Sequence, residues 1–253
     1  QEVRPSLVRL SDTFETVIYN GMNHEQQWLQ KIVDQIAERY LQLQGFSFAP
    51  SSDNILMWLG FEGNGEWVAR QWNQAMKICS DHEGISVGRG IGQSWLQDRY
   101  KWPYLRDALV GHGVMVGRLE TMVAWTKLMN VYEATISAIK RAILRADGGP
   151  GYVMTRIAYA NEHSALLRFI FLGRQVVDAN PQVKLAQVQV VKQAAAEAIL
   201  NAGGALPYYQ GIDRGHGIWL ENEIGALGMK VIRNLKQTFD PGNILNTGML
   251  LRL

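Results

Sequence analysis

The side chains best suited to chemistry in this sequence are five histidines, one cysteine and several arginines set among apolar residues. His24, His82, His112, His163 and His216 are scattered, with no H-x-x-x-H or H-E-x-x-H spacing. A metal needs two or more imidazoles or carboxylates brought to one point, so no metal is expected. Cys79 has no histidine at a suggestive spacing and falls on an apolar helix stripe, where it reads as a packed small hydrophobe rather than a nucleophile. The run GRGIGQSW brings Gly88, Gly90 and Gly92 together, but Gln93 stands where a dinucleotide loop needs its third glycine, and no Walker lysine follows. It reads as a turn. Arg106, beside Asp107 in YLRDALVGHG, suits either a fork onto a carboxylate or phosphate, or an internal ion pair with Asp107 or Glu120. Arg168 interrupts the apolar run ALLRFIFL, where it needs a partner if it faces inward and water if it faces outward. The passage GGALPYYQGIDRGHG gathers Tyr208, Tyr209, Gln210, Arg214 and His216 between glycines at the junction of two helices, a position suited to a ligand-carrying loop.

The elements that must position these residues follow from apolar spacing. Helices are expected over 25–43, from just after Gly65 to near Gly84, over 93–99, 127–144 and 181–202, and from about 217 to 238. Their inner faces read as Val183, Ala186, Val190, Ala194 and Ala198 in the fifth, and Ile224, Leu227, Val231 and Leu235 in the last. Strands are expected over 55–61 and 114–125, and over 153–160 and 165–172 as a hairpin turning at Asn161-Glu162-His163. The order predicts an α+β fold: an antiparallel sheet with helices packed on one face, wrapped by an N-terminal segment (1–50) and an irregular C-terminal tail. The chain has 253 residues, 47% of them hydrophobic, 19% charged, with a net charge of +2. That is enough to bury a core, and the interspersed charges suggest neither a nucleic-acid nor an anionic-membrane surface. No run is long and apolar enough to span a bilayer, no export signal is visible, and a lone cysteine leaves the cytoplasm as the default compartment.

Several blocks, in order, resemble flavoproteins of the vanillyl-alcohol oxidase type, and among them the alkyldihydroxyacetonephosphate synthases (alkylglycerone-phosphate synthases) of ether-lipid formation. They are SLVRLSD around Arg9, LGFEGN at 59–64, YLRDALVGHGVMVGRLETMVAW at 104–125, AEAILNAGGALPYYQG at 196–211 and the tail FDPGNILNTGMLL. The resemblance implies that all of 1–253 is one cap domain, which covers the isoalloxazine of FAD and binds an anionic substrate. Most of the FAD would be held by an N-terminal domain missing from this chain, and the chain alone would be inactive. An isolated cap would expose an apolar patch and be prone to form a homodimer. Arg106 would match a substrate-binding arginine, and Arg9 another arginine needed for activity. Two positions depart from the pattern: Arg168 stands where the synthases have a tyrosine acid/base, and Tyr208, Tyr209 and Gln210 where they have three histidines. The departures put ether-forming exchange in doubt and leave oxidation of an alcohol or hydroxy acid open, with a tyrosinate as base. The contrasting expectation, from the fold without catalysis, is a binding module for an anionic metabolite or a protein partner.

Overall fold

The computed structural model describes residues 3–16, 55–205, 217–248 and 251. The helix expected over 25–43 and the tyrosine-bearing stretch at 206–216 lie outside them. The elements are β1 (Leu7–Ser11), β2 (Met57–Gly60), α1 (Gly65–Asp81), α2 (Gly90–Asp98), α3 (Trp102–Gly111), β3 (Val114–Ala124), α4 (Leu128–Arg145), β4 (Tyr152–Ala160), β5 (Ser164–Arg174), α5 (Pro181–Ala202) and α6 (Gly217–Phe239). The strands form an antiparallel sheet in the order β2-β1-β4-β5-β3, and the α+β reading holds. The chain divides into two compact units, Gln1–Val114 with Met154–Ala160, and Met115–Val153 with Asn161–Leu253.

In the first unit, β1 pairs with β2 (Leu7 opposite Gly60, Arg9 opposite Trp58) and with β4 (Leu10 opposite Ile157, Ser11 opposite Arg156). Residues 7–11, expected to wrap the core, are thus a strand within the sheet. The strand stops because Ser11 and Asp12 turn the chain into a helical start at 13–16. Asp12 Oδ1 accepts from Glu15 N at 2.8 Å, and Oδ2 accepts from Thr155 N at 2.9 Å. Asn64 caps α1 by accepting from Trp67 N at 2.8 Å. The stretch YLRDALVGHG, placed before a strand in the sequence reading, is itself helix α3, started by Trp102-Pro103 in its first turn.

In the second unit, the odd-numbered residues of β3 and β5, among them Met115, Leu119, Val123, Leu167, Phe169 and Phe171, are buried. They form one continuously buried face at a period of two, while Glu120, Leu166 and Leu172 on the other face are buried as well. A Cβ built on Gly173 would lie 2.6 Å from Met115 Cε and 2.8 Å from Ile143 Cγ2, so α4 sits directly on that face. Helix α5 begins where Asn180 accepts from Val183 N at 3.0 Å and ends at Gly203, whose φ of 89° favours glycine.

Two helix faces need correction. The buried side of α5 is Gln187, Val191, Ala195, Ala196 and Ile199, while Val183 and Val190 are exposed. The face is rotated by about one residue because it is fixed by a polar anchor: Gln187 Nε2 donates to Ala146 O at 2.7 Å and Arg174 O at 2.9 Å. In α6, Ile224, Leu227, Val231 and Leu235 are exposed, and Leu220, Met229 and Ile232 pack with Leu251. Gly225, at φ 72° and ψ 170°, interrupts the helix, so a stripe counted across it loses phase.

The tail motif FDPGNIL has a local physical basis. Asp240 accepts from Ile244 N at 3.0 Å and Leu245 N at 2.9 Å and pairs with Lys236, whose Nζ donates to Leu245 O at 2.5 Å. The Lys236 hydrogen bond and the backbone donors hold the Asp240 carboxyl at about 2. A depressed carboxyl stabilises the fold above its unfolded value and loses that contribution as pH falls through the folded one. The tail is therefore expected to stay pinned at neutral pH and to open between about pH 4 and 2. Asp240→Asn should speed amide exchange at Ile244 and Leu245 near neutral pH, where exchange unchanged from wild type would refute the clamp.

Candidate functional site

The first unit carries two arginines singled out from sequence. Arg9 leaves β1 beside its cross-strand neighbour Trp58. Its guanidinium lies 4.9 Å from the Trp58 ring centroid and 5.1 Å from that of Trp95 on α2. The two indoles are themselves 5.8 Å apart and tilted by 48°. Each such stack contributes about 0.5–2 kcal/mol depending on desolvation and fixes the plane of a group that otherwise rotates freely. Register supplies Trp58, and α2 supplies Trp95 because Gly90 opens a helix immediately after the glycine turn. Neither tryptophan was singled out from sequence, since their partnership with Arg9 exists only once β1 and β2 pair.

Arg106, on α3, is 69% exposed and donates to Asp107 Oδ1 from Nε at 3.3 Å and Nη2 at 3.2 Å. Arg106 is thus in an ion pair with Asp107, and an exposed one. Such pairs contribute little stability. The guanidinium is accessible to a ligand.

In the second unit, Arg168 on β5 faces Glu120 on β3. Its Nε donates to Glu120 Oε1 at 2.5 Å, and Nη2 forms the ion pair with the same oxygen at 2.5 Å. The Glu120 side chain is fully buried and that of Arg168 is 26% exposed. The solvated reading of Arg168 is thereby replaced by a buried partner. Glu120 is paired with Arg168 rather than with Arg106. Alternation puts both on even positions, the face opposite the buried odd residues.

Tyr208, Tyr209 and Gln210 lie outside the described residues. Among the described residues no group of three His, Cys, Asp or Glu converges, and no helix is long and apolar enough to cross a membrane. Sequence reasoning also missed a second buried pair, Arg156 with Glu15, in the first unit. Its signal was the same as for Arg168: a charge in the middle of a strand.

An FAD needs a cradle for its pyrophosphate, and the described glycine turn does not provide one. The backbone around Gly90 and Gly92 is exposed and opens onto empty space, with no side-chain cap at Arg89. The dinucleotide end is thus not held by that turn. What the described residues do offer is oriented positive charge, which fits the substrate side of a flavin site.

The comparisons with known proteins agree with this division. Residues 1–250 match the family model described as FAD linked oxidases, C-terminal domain. The chain is 26% identical over 252 residues to the alkyldihydroxyacetonephosphate synthase of Dictyostelium discoideum, covering 99% of this chain and 40% of that protein. It is 24% identical over 250 residues to the synthase of Trypanosoma brucei brucei, with 98% and 40% covered. An uncharacterized FAD-linked oxidoreductase of Escherichia coli K12, YgcU, is 24% identical over 150 residues, with 57% and 30% covered. A solved alkyldihydroxyacetonephosphate synthase structure superposes with a TM-score of 0.60 at 23% identity, over 97% of this chain and 39% of that one, and so shares its fold. The chain spans about 40% of the length of the synthases it matches. It belongs to the family of FAD-linked oxidase C-terminal domains.

Proposed function

We propose that this chain is the substrate-side cap of a larger FAD-dependent enzyme, lying over the isoalloxazine held by a separate flavin-binding domain and gripping an anionic group of the substrate. The observation that carries the reading is Arg9, a strand arginine whose plane is fixed by two indoles. A guanidinium held in one plane recognises carboxylate or phosphate oxygens at a lower entropic cost than a free side chain. The relatives' name, alkyldihydroxyacetonephosphate synthase, contains a phosphate-bearing compound, which supports a phosphate or carboxylate on the substrate. The apolar stripe left exposed on α6 is suited to burial against the flavin-binding domain.

Bound FAD would supply hydride acceptance. This chain's residues would bind and orient the substrate. Arg9 and the accessible Arg106 hold charge, and neither exchanges protons near neutral pH. Arg168 has the same limitation at the position where the resembling synthases carry a tyrosine. That favours oxidation of an anionic alcohol or hydroxy acid over ether-forming exchange, with Tyr208 or Tyr209 as the group that accepts a proton. In the full-length protein, Arg9→Ala should raise KM for such a substrate by about tenfold or more with a smaller change in kcat, because a charge-assisted contact common to ground and transition states is lost. An unchanged KM would refute the role of Arg9. Tyr208→Phe combined with Tyr209→Phe should slow flavin reduction, and unaltered reduction would remove the tyrosines from the account.

A further inference from the structure

We propose that Glu120 positions Arg168 so that the far edge of its guanidinium receives an anionic oxygen of the substrate, an inference that rests on the reading of the substrate as an anion. Strands β3 and β5 are neighbours in the sheet, and the two side chains stand on the same face. One carboxylate oxygen, Glu120 Oε1, accepts from Nε of Arg168 at 2.5 Å and lies 2.5 Å from Nη2 in the ion pair. The guanidinium is therefore gripped along one edge and turned to a single orientation. Its other terminal nitrogen, Nη1, makes no hydrogen bond among the described residues, and the side chain keeps 26% of its surface accessible. Two N–H donors are thus available on an oriented, permanently charged group.

The second carboxylate oxygen, Glu120 Oε2, is buried and makes no hydrogen bond among the described residues. A buried carboxylate with half of its acceptors unused is a poor stabilising device, since an apolar pair of similar volume avoids the desolvation cost. Holding Arg168 in a functional orientation accounts for the expense. It also separates positioning from simple charge balance. By charge alone Glu120 repels an incoming anion. Shortening it to aspartate keeps the charge but withdraws the oxygen from the guanidinium, whereas glutamine keeps an oxygen acceptor and removes the charge.

The test is calorimetric titration with sodium acetate of the full-length, flavin-loaded protein carrying Arg9→Ala, which excludes binding at Arg9. Acetate binding is expected to persist there, to be lost on adding Arg168→Ala, and to weaken by about tenfold on adding Glu120→Asp, as for loss of a charge-assisted contact. Glu120→Gln should bind acetate at least as tightly as its parent. Glu120→Asp combined with Arg168→Ala should behave like Arg168→Ala alone. Absence of acetate binding in the Arg9→Ala parent, binding undiminished by Arg168→Ala, or an unchanged affinity in Glu120→Asp each overturns the inference. None of these outcomes bears on Arg9, whose role fails separately if Arg9→Ala leaves KM unchanged.

Discussion

Glu15→Ala is expected to lower the folding stability of the chain by about 3–5 kcal/mol, the usual cost of removing one partner from a buried ion pair. Glu15 and Arg156 are both buried, and their side chains meet in the first unit. The pair is built by local structure at two places. Ser11 and Asp12 end β1 and start the helical turn that carries Glu15, and β4 delivers Arg156 opposite Ser11. Removing the carboxylate leaves a guanidinium in a site closed to water, where the loss of pairing greatly exceeds the loss of a surface contact. Replacing both residues with leucine should recover most of the stability, because the desolvation penalty disappears along with the attraction. Urea midpoints of the two variants provide the check. A loss under 1 kcal/mol for Glu15→Ala would show that the pair is solvated as an exposed one is.

Gly117→Ala is the second large effect, from steric overlap rather than charge. A Cβ at this position would overlap the Cζ end of the Phe171 ring, 2.5 Å from Cε1 and 2.7 Å from Cε2. Phe171 is fully buried on β5 and lies across the β3 backbone where Gly117 has no side chain. The ring cannot move aside in a close-packed core without displacing its neighbours. The cost should be about 3 kcal/mol, at the upper end for overpacking by a single methyl. Shortening the ring to Phe171→Leu in the Gly117→Ala background should cost less than the two single changes added together. Strict additivity would mean that the ring is not what occupies the glycine's space.

These two sites also show what was and was not legible in the residues. The hairpin of β4 and β5, helix α4 and the caps at Asn180 and Gly203 follow from apolar spacing and capping chemistry, both of them local. Strand β1 was missed because its five residues, LVRLS, carry too short an alternation to identify, and its pairing with β2 joins Arg9 to Trp58 across 49 positions of sequence, a separation that no local signal specifies. The faces of α5 and α6 were misjudged for physical reasons: a buried glutamine anchors one, and a glycine break resets the other. At the candidate site, the arginines were visible as charges in apolar company. Their partners, Trp58, Trp95, Glu120 and Glu15, were not, because each partnership is created by strand pairing or helix placement. Arg106 and Arg168 stood out as such charges, and the family resemblance added Arg9. Only the structure showed that Arg168 has a buried carboxylate beside it.

The central claim is that an anion held by this chain lies over the flavin ring. It is tested most directly by adding inorganic phosphate to the full-length, flavin-loaded protein and recording the visible absorption of the flavin. A saturable shift of the flavin band is expected, lost in Arg9→Ala while flavin content stays the same. Phosphate binding that leaves the flavin spectrum untouched, or a shift that persists in Arg9→Ala, would contradict it.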